Sequence, residues 1–301
     1  MKQFFEIARN IISITAPAEL SVWNELRPRF EVFGTAEQPT ILDVDVTAGE
    51  ITDDDNTVIY APEFSGVGFI TGTASRTPKG NIVMQFRHID EKERIRLRMA
   101  LSDDFSRAEI LIDTNTGKEE NPYFLTHALM LAFLMATTAN GTLLIHSSTV
   151  GCDGKGYLFQ GKSGTGKSTH ARMWLNNIEG AELLNDDNPL IRFTEEGVPT
   201  VYGSPWSGKT PCYRKVSAPI GAFVRIVRDP DNVLKRLAPL PAYVSLTTSI
   251  FHLPFMTEEQ RDVRHRTIER LVQSVPCCEM HCRPDAEAAE VCHRELTIKT
   301  I

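Results

Sequence analysis

The sequence predicts an α+β protein in two parts, a β-rich N-terminal domain followed by an α/β domain built on a mixed sheet. Three observations predict it. Before residue 120 apolar and polar residues alternate, as they do along half-buried strands. From residue 121 an apolar helical stretch leads into a strand pair. A glycine-rich loop with a helix behind it is then followed mostly by strands, which does not fit a long βαβ series.

In the first part, NIVMQFRH (81–88) and ERIRLRMAL (93–101) are the clearest strands. Asp53 to Asn56 and Ser75 to Gly80 have the composition of turns between strands. The polar run DTNTGKEEN (113–121) sets the expected boundary, with an accessory or docking domain over 1–120 and a second domain over 121–301. Arg94, Arg96 and Arg98 share one strand face. Such a row is either solvated and paired with carboxylates or a docking face for an acidic peptide.

Between Glu120 and Asp153 there is no Asp, Glu, Lys or Arg. Phe124–Ala139 is 16 residues long, short of the roughly 18 to 20 needed to span a membrane. Asn121-Pro122 is a helix start and Asn140-Gly141 a stop, so a buried helix over 122–139 is expected rather than a membrane span. The whole chain of 301 residues carries a net charge of −7, which argues against broad nucleic-acid binding. In MKQFFEIARNIIS, Glu6, Arg9 and Asn10 interrupt any leader-like apolar run. The six cysteines (Cys152, Cys212, Cys277, Cys278, Cys282, Cys292) are therefore expected as thiols in a reducing cytoplasm.

The second part opens with a strand, TLLIHSSTV (142–150), and Asp153-Gly154 should turn it into GYLFQ (156–160) as a hairpin. A helix follows through Ala171, Met173, Trp174 and Leu175. AELLNDD (181–187), PLIRF (189–193), TVYGS (200–204) and IGAFVRIV (220–227) read as strands. Thr257–Val275 is a charged amphipathic helix, PCCEMHC (276–282) a short strand, and a last helix starts near Pro284-Asp285. Cys277, Cys278, His281, Cys282, Cys292 and His293 could supply zinc ligands. Strand alternation turns neighbours to opposite faces, however, and favours core packing for the cysteines. Ser147, Ser148 and Thr149 are candidate self-modification sites, although strand hydroxyls more often bond their neighbours.

The chemistry concentrates after the hairpin. Gly161-Lys162-Ser163-Gly164-Thr165-Gly166-Lys167-Ser168 matches G-x-x-x-x-G-K-[ST] in full, with Thr169 behind it. Glycines let the backbone wrap phosphates, and the helix aims its first N–H groups at them. Lys167 would sit on the β/γ-phosphates of ATP, and the Ser168 hydroxyl on Mg²⁺. Eighteen residues beyond Ser168 stands Asp186, followed by Asp187, and the two suit a metal-binding and a proton-accepting carboxylate, or else a turn with Asn188-Pro189. His146, 15 residues ahead of Gly161, is either an ordinary strand histidine or part of the site. YGSPWSGKTPCYRK (202–215) is either a loop bringing Lys209 or Arg214 to phosphate or a turn anchored by Trp206.

The order His146, Gly161–Ser168, Asp186-Asp187 resembles the catalytic domain of HPr kinase/phosphorylase, and the loop GKSGTGKST is similar to that of ATP-dependent phosphoenolpyruvate carboxykinase. The resemblance covers about 140–195 well, 195–301 loosely and 1–120 not at all. It implies the carboxykinase-like version of the P-loop fold and an ATP- and Mg²⁺-dependent kinase acting on a hydroxyl of a protein or peptide. It also implies roles: Gly161–Thr169 and Lys167 for the triphosphate, Ser168 and Asp187 for the metal, Asp186 as base, and His146 near the transferred phosphate. Homo-oligomerisation is a weaker implication. The family's later Glu-Val-Arg-Gly-Leu-Gly segment has no counterpart here, which separates this chain from HPr as acceptor. The ligand set a carboxykinase needs for oxaloacetate and a second metal is missing too. A small-molecule acceptor, or a nucleotide-gated binding protein without turnover, are the alternatives.

Overall fold

Alternation does build the first sheet. The computed structural model describes residues 1–51, 57–65, 70–113, 121–208 and 210–298, and divides into two units. The first unit is Met1–Thr137 with Leu253–Thr257. Its strands are β1 (Lys2–Ile7), β2 (Asn10–Thr15), β3 (Gly34–Thr35), β4 (Leu42–Gly49), β5 (Thr57–Ser65), β6 (Ile70–Arg76), β7 (Ile82–His88), β8 (Glu91–Leu101) and β9 (Arg107–Asp113). They form one mixed sheet in the order β3-β1-β2-β4-β9-β8-β7-β6-β5. The β2–β4 and β4–β9 pairs are parallel. In β4, Leu42, Val44 and Val46 are buried while Asp43 and Asp45 between them are not. The expected turn at Asp53–Asn56 lies outside the described residues.

Two helices join this sheet, α1 (Ser21–Glu31) and α2 (Asn121–Thr137). Helix α1 was not expected from the sequence: it has no side-chain cap, no acidic first turn, and Pro28 inside it. Its buried Val22, Trp23, Leu26 and Phe30 nonetheless fall at helical spacing, and Trp23 and Phe30 pack with Phe5. The apolar helix α2 packs on β4, β8, β9 and α1. By length and composition Pro122–Asn140 could cross a membrane, but 72% of that window is buried inside the structure, as in a core helix. Because α2 buries its surface on the first sheet, the units divide after Thr137 and not at the expected 120/121. The arginine row is tied up locally. Arg94 bonds Asp113 at 3.2 Å, and the buried Arg96 pairs with Glu91.

The second unit is Thr138–His252 with Glu258–Ile301. A 3₁₀ turn (Thr138–Asn140) leads into β10 (Leu143–Leu144), β11 (Ser147–Cys152), β12 (Lys155–Gln160) and α3 (Lys167–Asn177). Next come β13 (Glu182–Asp187), β14 (Leu190–Phe193), β15 (Pro199–Tyr202), β16 (Ser217–Arg228) and β17 (Val233–Arg236). Helices α4 (Pro239–Ser249) and α5 (Glu258–Ser274), strand β18 (Cys277–Cys282) and helix α6 (Ala286–Ile298) complete it. The sheet runs β10-β14-β15-β16-β12-β11-β13, with β18 on β16 and β17 on β18. It is mixed, as expected: β12–β16 and β16–β18 are parallel, and the remaining ladders antiparallel. The Asp153-Gly154 hairpin forms as expected, both residues at positive φ (50° and 70°).

Period two splits the core between the two faces of this sheet. Tyr157, Phe159, Val224, Met280 and Trp174 pack on one side, with α3 and α6. Leu158, Phe223, Leu246 and Ile268 pack on the other, with α4 and α5. The cysteines follow the same rule. All six are buried thiols; Cys278, Cys282 and Cys292 lie in the first cluster and Cys277 in the second. The zinc set imagined across 277–293 is therefore not assembled. The single strand expected over 142–150 is broken between β10 and β11, at Ile145-His146.

Candidate active site

The turn between β12 and α3 needs its glycines. Gly161, Gly164 and Gly166 take φ of 143°, 81° and 114°, in the left-handed region, and a Cβ on Gly161 would lie 2.6 Å from Thr165 Oγ1. Thr165 closes the loop, its N–H and hydroxyl donating to the Lys162 carbonyl at 3.1 and 2.8 Å. Lys162, Ser163 and Gly164 stand exposed at the loop, and Ser168 and Thr169 at the start of α3. The first N–H groups of α3 lack intrahelical acceptors, which suits an anion.

Lys167 is only 8% exposed. Its ammonium donates to the Gly161 carbonyl at 3.0 Å and to His146 Nε2 at 2.9 Å. Burial pushes its pKa below the ordinary 10.5, opposed by Asp187 and Asp186 nearby. His146, at the break after β10, is fixed by its N–H donating to the Ser249 carbonyl at 2.8 Å. Its Nδ1 meets Asp187 Oδ1 at 2.9 Å. An ammonium can only donate, so His146 Nε2 accepts and Nδ1–H donates to Asp187. The result is one polar chain, Lys167 to His146 to Asp187.

Asp186 points elsewhere. It is buried, and the Ser168 hydroxyl donates to its Oδ1 at 3.0 Å. Both carboxylates belong to β13, which pairs with β11 so that Ser147 faces Asp187 and Ser148 faces Asp186. The turn expected at 186–189 is thus strand through Asp187. Asp187 ends it at φ 142°, a backbone state L residues rarely adopt, and such strain gathers at functional sites. Asn188 Nδ2 donates to Asp187 Oδ2 at 2.8 Å and holds the carboxylate.

Segment 202–208 packs on the end of β13. Trp206 is buried, Ser204 Oγ donates to the Asn188 carbonyl at 2.6 Å, and Ser207 Oγ to the Asp186 carbonyl at 3.2 Å. A Cβ on Gly208 would come within 2.9 Å of the Asp186 carbonyl, so glycine permits the approach. Arg214 does not reach the phosphate loop: it donates to the Leu183 carbonyl at 2.6 Å and to Glu182 at 2.7 Å, at the far end of β13. Lys209 lies outside the described residues. Ser147, Ser148 and Thr149 are buried, and Ser147 and Thr149 bond each other at 3.2 Å.

One site residue was missed. Arg228, the last residue of β16, donates to the Gly164 carbonyl and clasps the loop. The strand was expected to end at 227, and nothing local in the sequence shows that a parallel neighbour delivers its end to the loop. Neither a protein-family model nor a curated protein matches this chain. Among solved structures, the HPr(Ser) kinase/phosphatase from Coxiella burnetii is similar over 52% of this chain and 97% of that one, at 12% identity and a TM-score of 0.32. A likeness that distant carries no functional weight beside the side-chain geometry.

Proposed function

We propose that the second unit is an ATP- and Mg²⁺-dependent phosphotransferase that passes the γ-phosphoryl group to a hydroxyl, the favoured acceptor being a serine of a protein or peptide. One observation carries this: the chain Lys167–His146–Asp187 stands beside a separate Ser168–Asp186 contact, both at the mouth of a glycine loop. A loop built only to hold nucleotide does not need the first of these.

The contacts favour exchanging the roles that the resemblance implies for the two aspartates. Ser168 and Asp186 offer adjacent hard oxygen donors, which fit Mg²⁺. Bound there, the ion would supply charge neutralisation on the phosphate oxygens. Asp187 instead orients His146. When phosphate draws Lys167 away, His146 Nε2 is free to accept the acceptor's hydroxyl proton. The hydroxyl oxygen then bonds to the γ-phosphorus, the bond to the β–γ bridging oxygen breaks, and ADP leaves with that electron pair. Asp187 holds the imidazolium meanwhile.

The test mixes purified protein, Mg²⁺ and γ-labelled ATP with host lysate split into macromolecular and small-molecule fractions, Lys167→Ala being the control. Label entering a protein or peptide, and lost with the variant, is the expected result. Label confined to small molecules would replace the acceptor class. ATP binding without transfer or hydrolysis would leave a nucleotide-gated binding protein.

A further inference from the structure

The hairpin of β11 and β12 has polar clusters at both ends. The site above lies at the end bearing Ser147 and Gln160. At the other, Cys152 closes β11 and Asp153 begins the turn, both against His293 of α6. His293 Nε2 lies 3.0 Å from Asp153 Oδ2 and 3.9 Å from Cys152 Sγ, and the three ligand atoms fall within 4.8 Å of one another. The set is Cys, Asp and His, with one ligand atom from each.

We propose that Cys152, Asp153 and His293 bind one borderline-soft divalent cation of the Zn²⁺ class. The donor types match that choice, since thiolate and imidazole select such ions over Mg²⁺. So do the spacings. With metal bonds of about 2.0 to 2.3 Å at tetrahedral angles, nitrogen and oxygen stand about 3.3 Å apart and sulfur and nitrogen about 3.5 Å. The gaps of 3.0 and 3.9 Å each need only a few tenths of an ångström of adjustment. The donors sit on stiff supports: a tight hairpin and a helix whose His293 ring stacks edge-on against buried Trp174, 5.3 Å away at 84°.

Exposure is graded across the cluster. Cys152 is 3% exposed, while the side chains of His293 and Asp153 are 25% and 60% exposed. A cation can enter from solvent and keep a water as fourth ligand. Without it, burial and the neighbouring Asp153 charge push the Cys152 thiol up to about 11. On binding, the S–H bond gives way to a sulfur–metal bond and its proton goes to water, and the Nε2–H that His293 donates to Asp153 gives way to a nitrogen–metal bond, leaving the ring proton on Nδ1. A six-residue strand is roughly 20 Å long, so this site ties α6 to the far end of the hairpin and touches no phosphate.

The test titrates the chelator-treated full chain with Co²⁺, in excess Mg²⁺ to fill hard-oxygen sites. One equivalent should give a thiolate-to-cobalt charge-transfer band and tetrahedral d–d bands, bleached by one equivalent of Zn²⁺. Cys152→Ser should abolish the charge-transfer band. His293→Gln, at a partly exposed position, should weaken Co²⁺ by more than the roughly 10- to 100-fold typical of second-shell changes. Absence of the bands in the wild-type protein would overturn the site. So would bands unchanged in Cys152→Ser, which would put the ion on other cysteines, or unchanged affinity in a folded His293→Gln.

Discussion

Two histidine–aspartate pairs bracket one hairpin, and their third partners set them apart. His146 and Asp187 meet at 2.9 Å, His293 and Asp153 at 3.0 Å. Beside the first pair stands a buried ammonium, Lys167; beside the second, a buried thiol, Cys152. Under the proposed function, an ammonium that trades its partner for phosphate leaves the first pair as a proton acceptor. A thiol that can lose its proton makes the second a cation trap. On these proposals the same pair serves different chemistry according to the third group.

Removing the ammonium should have the largest effect. Lys167→Ala takes away the charge that meets the phosphates, and transfer from γ-labelled ATP should fall on the order of 10²- to 10³-fold or more. His293→Gln, at the other end of the hairpin, should leave transfer near wild type. Equal losses in both would show that the two pairs are not functionally separate.

Next comes the division between the carboxylates. Asp187→Asn should lower transfer by about 10- to 10²-fold with ATP binding retained, because it loosens the proton acceptor His146 without removing it. Asp186→Asn should instead raise the Mg²⁺ concentration needed for half-maximal rate. The opposite pattern would restore the roles implied by the resemblance.

A third test probes the packing behind the loop. His170, in the first turns of α3, is buried, accepts a hydrogen bond from Trp174 Nε1 at 3.2 Å, and is pushed down from 6.5 to about 4 by burial. With the folded value the lower one, the unfolded chain takes up a proton that the folded chain refuses. Stability should hold above pH 6.5, fall between there and pH 4, and lose about 3 kcal/mol from this residue. Chemical denaturation of His170→Phe across that range should show a shallower slope than the wild type.

These residues also mark what the sequence could reveal. The glycine loop, Asp153-Gly154 and the alternation in the strands are local rules, and each appears where the residues put it. Lys167 and Ser168 could be singled out by the loop motif, the two aspartates by their place after it, and His146 by the family resemblance. Which aspartate touches which partner could not, because that depends on the β11–β13 register and on the unusual φ of Asp187. Helix α1 and strand β17 stayed hidden for a similar reason. Tertiary packing overrides Pro28 in the first, and pairing with β18 makes the second. The division after Thr137 follows from which sheet buries an apolar helix, and a helix apolar on every side carries no pointer to its partner.

The smallest expected effect concerns Arg214. In the sequence it stands in a Gly- and Pro-rich loop beside the site and looks like a second phosphate ligand. In the structure its guanidinium spans the Leu183 carbonyl and Glu182, and both ion-pair partners are well exposed, at 38% and 55%. Exposed pairs of this kind contribute about 0 to 1 kcal/mol. Arg214→Ala should therefore cost about 1 kcal/mol or less in denaturation and leave transfer unchanged, in contrast to Lys167→Ala. A drop in transfer at unchanged stability would mean that the 202–215 segment swings this arginine onto the phosphates during turnover. The two ends of β13 would then have to be treated as one site.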